Sequence, residues 1–100
     1  MSKSATTTDL LAPVHPGEVL SEEFLTPLGL SASALARRIG VPANRVSSIV
    51  AGKRAVTGDT ALRLALAFGT TPEFWMRLQM GWDLAVARDG FEGEVERVVG

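Results

Sequence analysis

The sequence contains no cysteine among its 100 residues, which excludes disulfides and thiolate metal sites. A single histidine also excludes a zinc site built on two histidine ligands. No apolar run approaches the roughly 18 residues that a membrane helix needs. The first eight residues carry one cation and no apolar core, unlike a secretory signal. We therefore expect a cytoplasmic protein without a metal, a cofactor or a membrane partner.

The patterns that mark catalytic sites are also missing. No glycine-rich phosphate loop follows a strand, and no nucleophile–base pair is apparent. His15, Glu18 and Glu22 form the one candidate row of metal ligands, but it lacks the histidine spacing of zinc hydrolases. His15 precedes Pro16, where an exposed or helix-capping residue is expected. We predict that the protein is not an enzyme and has no catalytic residue.

The charges are segregated along the chain, although the formal net charge is only −1. Residues 31–63 hold six Lys or Arg against one Asp, a balance of +5. Residues 1–30 and residues 64–100 each carry −3. A basic middle between acidic flanks indicates a nucleic-acid surface, whereas a solvated face with chance clustering is the alternative.

Apolar residues recurring at three- and four-residue steps predict an all-α domain of five helices. We expect a disordered arm over residues 1–13, a single helical domain over 14–90 and a tail over 91–100. The tail alternates imperfectly and favours either a short edge strand or a frayed end. The first predicted helix starts at Pro16 and is stopped by Pro27 and Gly29. The second spans about residues 32–39 and the third about 43–51. The fourth starts at Thr57 or Asp59 and stops at Gly69, and the fifth spans residue 72 to about Arg88.

Residues 32–52 have the pattern of two short helices around a sharp turn. Gly40 lies at the turn, and Val46 and Ile49 form the inner face of the second helix. A polar, partly basic outer face remains, which is typical of a helix-turn-helix whose second helix enters the DNA major groove. An ordinary helical hairpin is the alternative, and the basic segment makes it less favoured.

Two groups of side chains are predicted to contact DNA. Asn44 is the strongest base reader, because its amide both donates and accepts and so matches adenine N6 and N7. Arg45 could contact either a guanine base or a phosphate. Arg63 could contact either a phosphate or a carboxylate with a structural role. For Ser47 and Ser48, the alternative to DNA contact is simple exposure to solvent. The predicted base-reading residues are Ala43, Asn44, Arg45, Ser47 and Ser48, and the predicted phosphate contacts are Ser31, Arg37, Arg38, Lys53 and Arg54.

An ordered set of short motifs resembles the HigA family of antitoxins, also called VapI-type plasmid-maintenance proteins, within the xenobiotic-response-element class of helix-turn-helix domains. The resemblance covers about residues 14 to 88. This chain departs from the family at Trp82, where tyrosine is usual, at Ala34, where many relatives carry glutamate, and at Pro42-Ala43, where polar residues are common. The motifs are His15-Pro16-Gly17-Glu18-Val19-Leu20, Glu22-Glu23-Phe24-Leu25, Pro27-Leu28-Gly29-Leu30-Ser31, Leu35-Ala36, Gly52-Lys53-Arg54, Ala61-Leu62-Arg63-Leu64-Ala65, Phe68-Gly69-Thr70, Trp75-Met76-Arg77-Leu78-Gln79 and Asp83-Leu84.

The resemblance implies a lambda-repressor-like domain that partners a HigB-type, mRNA-cleaving toxin and represses its own operon. We expect it to bind a palindromic operator as a homodimer, since one such domain presents a small interface. A free-standing transcriptional regulator without a toxin is one alternative. A toxin-binding module without DNA binding is another, which Pro42-Ala43 keeps open.

Two further surfaces are predicted for protein partners. Trp75, Leu78, Trp82 and Val86 recur on one stripe of the fifth helix, which is either a dimer interface or core. Glu18, Glu22 and Glu23 lie near one another on the first helix. They either contact a basic toxin or only solvate the helix, since complementary charge mainly speeds association and sets orientation.

Overall fold

Five helices account for most of residues 13–100, the part of the chain that the computed structural model describes. No strand occurs in that part, which confirms the all-α prediction and the order of the five helices. The predicted arm lies outside the described residues except for Pro13, which is exposed and non-helical. The helices are α1 (residues 16–28), α2 (Ala32–Ile39), α3 (Ala43–Val50), α4 (Gly58–Phe68) and α5 (Pro72–Gly90).

Hydroxyl side chains begin three of the helices as the sequence predicts. The Ser31 hydroxyl accepts a hydrogen bond from the Ala34 N–H at 3.0 Å at the start of α2. Thr57, rather than Asp59, caps α4, and Thr71 caps α5. Each hydroxyl satisfies one of the N–H groups that a helix leaves without an internal partner, so the helix starts are fixed locally.

The first helix is not uniformly α-helical. Its middle segment, Leu20–Leu25, forms a π-helix in which the Thr26 N–H donates to the carbonyl of Ser21, five residues earlier. Gly29, with a φ of 60°, ends the helix as predicted, whereas Pro27 lies inside the final turn, so the prediction that it also stops the helix is wrong. A proline lacks an N–H and crowds the carbonyl four residues before it, and a π turn is one arrangement in which a helix absorbs such an irregularity.

The core is centred on Trp75, whose side chain is 0% exposed. Its indole N–H donates to the Thr70 hydroxyl at 2.8 Å, and the Phe24 ring packs against it with centroids 5.2 Å apart. Of the two alternatives for this stripe, core is therefore the correct one for Trp75, because its bulky ring is fully buried. The other large, fully buried apolar side chains are Leu20, Leu35, Val46, Ile49, Val56 and Leu64.

The fifth helix extends two residues beyond its predicted end and leads into an exposed tail. Phe91 has an extended backbone, and residues 91–100 form neither helix nor strand. Every residue of the tail is exposed, so the frayed-end interpretation holds and the edge strand does not. Across residues 13–100, no helix combines the length and apolar character needed to cross a membrane.

Candidate DNA-binding surface

Helices α2 and α3 are joined by a tight turn that fixes their relative orientation. Gly40 closes α2 with a φ of 75°, in the left-handed region that side chains disfavour. Leu35, Val46 and Ile49 are each at most 1% exposed between the two helices. This burial turns the opposite side of α3 toward solvent, as the helix-turn-helix pattern requires.

The outer side of α3 presents short polar groups. Asn44 is exposed in the first turn, and its side-chain amide has no hydrogen-bond partner within residues 13–100. The Ser47 hydroxyl is exposed but donates to the Asn44 carbonyl oxygen at 3.3 Å, so its proton is engaged inside the helix. Ser48 and Arg45 are half-buried at the edges of this face, and Ala43 is exposed at the first helical position. The arrangement leaves the Asn44 amide as an exposed group that can both donate to and accept from a base edge.

Exposed cations flank α3 on both sides along the chain. Arg37 and Arg38 lie in the last turn of α2, and Lys53 and Arg54 lie in the loop that follows α3. None of them forms an ion pair within residues 13–100. The Ser31 hydroxyl, exposed at the N-terminus of α2, accepts from its own helix and retains its proton for a further acceptor. These groups are available to contact phosphates.

Arg63 has a structural role instead. Its Nε donates to the Asp59 carboxylate at 2.9 Å, one turn earlier on α4. Its guanidinium NH1 also donates to the carbonyl of Ile39, the last residue of α2, at 2.6 Å. The structural-carboxylate alternative is therefore the correct one, and the second bond also ties α4 to the end of α2. The other five cations of the basic segment form no ion pair within the part of the chain that the structure describes.

Gln79 is a positioning residue that the sequence analysis did not single out. Its side chain is 5% exposed on α5, and its Oε1 accepts the Val56 N–H at 2.7 Å. Its Nε2 donates to the Asp83 carboxylate at 2.9 Å. The amide thereby anchors the loop that carries Lys53 and Arg54. The sequence does carry one sign of this role: Gln79 places an amide on the same stripe of α5 as Trp75, where an apolar residue is expected.

His15 caps α1 and is not exposed. Its Nδ1 accepts the Gly17 N–H at 2.9 Å, which confirms the capping alternative, and the residue is 8% exposed. Its ring meets the Trp82 ring edge-on, with centroids 5.2 Å apart. Burial lowers the pKa of His15, and the Asp83 carboxylate opposes part of that effect. The neutral imidazole is the form that accepts a hydrogen bond at Nδ1.

Two other surfaces were predicted to meet protein partners. Glu18, Glu22 and Glu23 are all exposed on α1. On α5, Leu78 and Trp82 are half-buried, and Val86 is 53% exposed. A second apolar stripe of α5 is exposed and was not predicted; it consists of Met76, Met80 and Leu84, which are 38%, 57% and 43% exposed. Phe91, 65% exposed, follows directly after the helix ends.

Comparison with known proteins places the chain among bacterial antitoxins. Residues 22–75 match the helix-turn-helix family. Antitoxin HigA-1 of Vibrio cholerae is 42% identical over 86 residues, which is 86% of this chain and 81% of the relative. A HigA-family addiction module antidote protein from Coxiella burnetii is 51% identical and superposes with a TM-score of 0.73, over 77% of this chain and 84% of the other.

The antitoxin HigA of Pseudomonas aeruginosa, whose structure was solved with the higBA promoter, is 39% identical with a TM-score of 0.78. The superposition covers 88% of this chain and all of that one. Such helix-turn-helix proteins are DNA-binding regulators and not enzymes. The chain belongs to the HigA family of helix-turn-helix antitoxins.

Proposed function

We propose that this protein is the antitoxin of a toxin–antitoxin module and represses its own operon by binding a palindromic operator as a dimer. The observation that carries the proposal is the outer face of α3, where the Asn44 amide is exposed and has no hydrogen-bond partner among residues 13–100. Exposed cations flank it at Arg37 and Arg38 and at Lys53 and Arg54, and none of them forms an ion pair in the described part of the chain. In protein–DNA interfaces, short polar groups at the centre read base edges, and the surrounding cations contact phosphates. The Pseudomonas aeruginosa relative solved with a promoter supports the same reading.

The proposed base-reading set is Ala43, Asn44, Arg45, Ser47 and Ser48. Asn44 is foremost because its exposed amide both donates and accepts. Ser47 contributes less, since its hydroxyl proton is held by the Asn44 carbonyl. The proposed phosphate set is Ser31, Arg37, Arg38, Lys53 and Arg54. A surface of this size favours a two-fold dimer, with recognition helices about 34–36 Å apart on successive major grooves.

For the dimer we propose an interface on α5 that includes Leu78, Trp82 and Val86 but not the buried Trp75. The second exposed stripe, represented by Met80, lies on nearly the opposite side of the same helix, because Met80 and Trp82 are two residues, or about 200°, apart. Met and Trp are enriched at interfaces. Changing Val86 to Asp should shift the protein from dimer to monomer in sedimentation analysis, whereas Met80→Asp, on the opposite side of α5, should leave the dimer intact.

The proposed toxin is a HigB-type, mRNA-cleaving enzyme, and Glu18, Glu22 and Glu23 on α1 are the proposed contacts. The three carboxylates are exposed and belong to the acidic N-terminal third of the chain. An RNA-binding toxin should be basic, so these charges are complementary to it.

The decisive experiment combines two measurements on the purified protein. Fluorescence anisotropy with a duplex from the protein's own promoter, compared with a scrambled duplex, tests operator binding. Co-expression with a small reading frame adjacent to its gene tests for a stable complex and for relief of growth arrest. Operator binding without any toxin would leave the free-standing regulator as the function, whereas toxin capture without operator preference would leave the interaction module.

A further inference from the structure

The N-terminal turn of α1 packs closely against the C-terminal end of the recognition helix, α3. Gly17 is buried there, and a Cβ on this residue would lie 1.8 Å from the carbonyl oxygen of Ile49 and 2.6 Å from its carbonyl carbon. Since real Cβ contacts are essentially never under 3.0 Å, any side chain at this position would force α1 and α3 apart. The close approach of the two backbones therefore depends on glycine at position 17.

His15 holds this turn in place from the other side. Its Nδ1 accepts the Gly17 N–H at 2.9 Å, and its ring packs edge-on against Trp82 of α5. The contacts run without a gap from α5 through His15 and Gly17 to Ile49 in the last turn of α3. Arg63 independently fixes the preceding helix through the carbonyl of Ile39. The C-terminal end of the recognition helix is thus held by a backbone contact between Gly17 and Ile49, which does not involve any side chain of α3.

We propose that His15 and Gly17 are positioning residues for sequence recognition, which set the orientation of α3 so that its outer side chains reach base edges. The inference deepens the proposed operator binding and rests on it. Asn44 lies five residues before Ile49, about 7.5 Å along the helix axis. A shift at the supported end therefore carries over to the base-reading turn, where useful contacts tolerate only about 0.5 Å of misplacement. Phosphate contacts made by flexible lysine and arginine side chains tolerate such a shift better.

The test is Gly17→Ala, with Gly81→Ala as the matched control. Gly81 lies in the interior of α5, and a Cβ there would meet nothing within 4 Å. Affinities for the operator and for a scrambled duplex are measured at a temperature where circular dichroism shows each variant folded. We expect Gly17→Ala to lose at least about tenfold in operator affinity, the scale of one good base contact, while scrambled-duplex affinity and salt slope stay near wild type. Gly81→Ala should retain the wild-type preference.

A second pair of variants keeps the proposal testable if Gly17→Ala fails to fold. His15→Ala removes the cap, whereas His15→Asn retains a side-chain acceptor of the kind that helix starts favour. The preference for operator over scrambled duplex should fall in His15→Ala and recover, at least in part, in His15→Asn. A folded Gly17→Ala with wild-type preference, or equal preference in the two His15 variants, would overturn the inference. A wild-type protein without operator preference would instead overturn the proposed function itself.

Discussion

The side-chain amide of Gln79 links the fifth helix to the loop that follows the recognition helix. Its Oε1 accepts the Val56 N–H at 2.7 Å, and both Gln79 and Val56 are nearly inaccessible to solvent. An unmet N–H in such a place costs free energy, because it has lost water without gaining a partner. The folding of α5 and the placement of the loop cations, Lys53 and Arg54, are therefore coupled through one hydrogen bond.

Replacing Gln79 with leucine should lower the free energy of unfolding by about 1–3 kcal/mol, the cost of leaving a buried donor unsatisfied. Urea denaturation followed by tryptophan fluorescence measures this loss. Gln79→Glu is the informative comparison, since it keeps an acceptor for Val56 but sets a second carboxylate beside Asp83. Its destabilisation should shrink on acidification, whereas that of the leucine variant should not. A leucine variant as stable as wild type would show that water satisfies the Val56 N–H.

Changing Asn44 to alanine should weaken operator binding by about 1–3 kcal/mol per half-site, the value of one bidentate base contact. The loss should be confined to the cognate duplex and to one base position, which a set of singly substituted operators would identify. Ser47→Ala is the matched control on the same face, with a smaller effect expected because its hydroxyl proton is already held by the Asn44 carbonyl. Equal losses on cognate and scrambled DNA would assign Asn44 to the backbone instead.

Lys53→Ala and Arg54→Ala should weaken binding to cognate and scrambled duplexes alike. Both cations are exposed and unpaired within the described chain, so their expected contribution is charge neutralisation. Each lost phosphate contact should reduce the slope of log affinity against log salt by roughly one unit. Anisotropy titrations at several salt concentrations supply the slope. An unchanged slope in both variants would remove this loop from the interface.

Stability should fall on mild acidification because of His15. Burial lowers its pKa below the value of 6.5 that the unfolded chain has, against an opposing effect of Asp83. The unfolded state then binds more protons than the folded state below pH 6.5, so the stabilisation is present above that pH. It is lost as the pH falls toward the lowered folded value, where protonation removes the Nδ1 acceptor from Gly17. The free energy of unfolding measured across this range should vary less in His15→Asn than in wild type.

The sequence predicted the features that depend on residues close together in the chain better than those that depend on residues far apart in it. The helix ends followed from local groups, such as the Ser31 hydroxyl and the Gly40 turn, and a single sequence displays these directly. The burial of Trp75 was not decidable in the same way, because a helical stripe looks the same whether it faces a core or a partner. The contacts of Gln79 with Val56 and of Arg63 with Ile39 join residues 23 and 24 positions apart, which periodicity does not reveal.

Reversing two charges on α1, with Glu22→Lys and Glu23→Lys together, should slow toxin association while operator binding is preserved. Both side chains are exposed and lie away from buried Leu20, so the fold should be retained. Complementary charges act mainly on the association rate, so the effect should be large at low salt and fade as salt rises. Stopped-flow association with the purified toxin measures the rate. Glu73→Lys together with Glu92→Lys, two exposed acids outside α1, makes the same change in net charge and is the control. Unchanged toxin capture by the folded double variant would move the docking surface away from α1, most naturally to the exposed apolar side chains of α5.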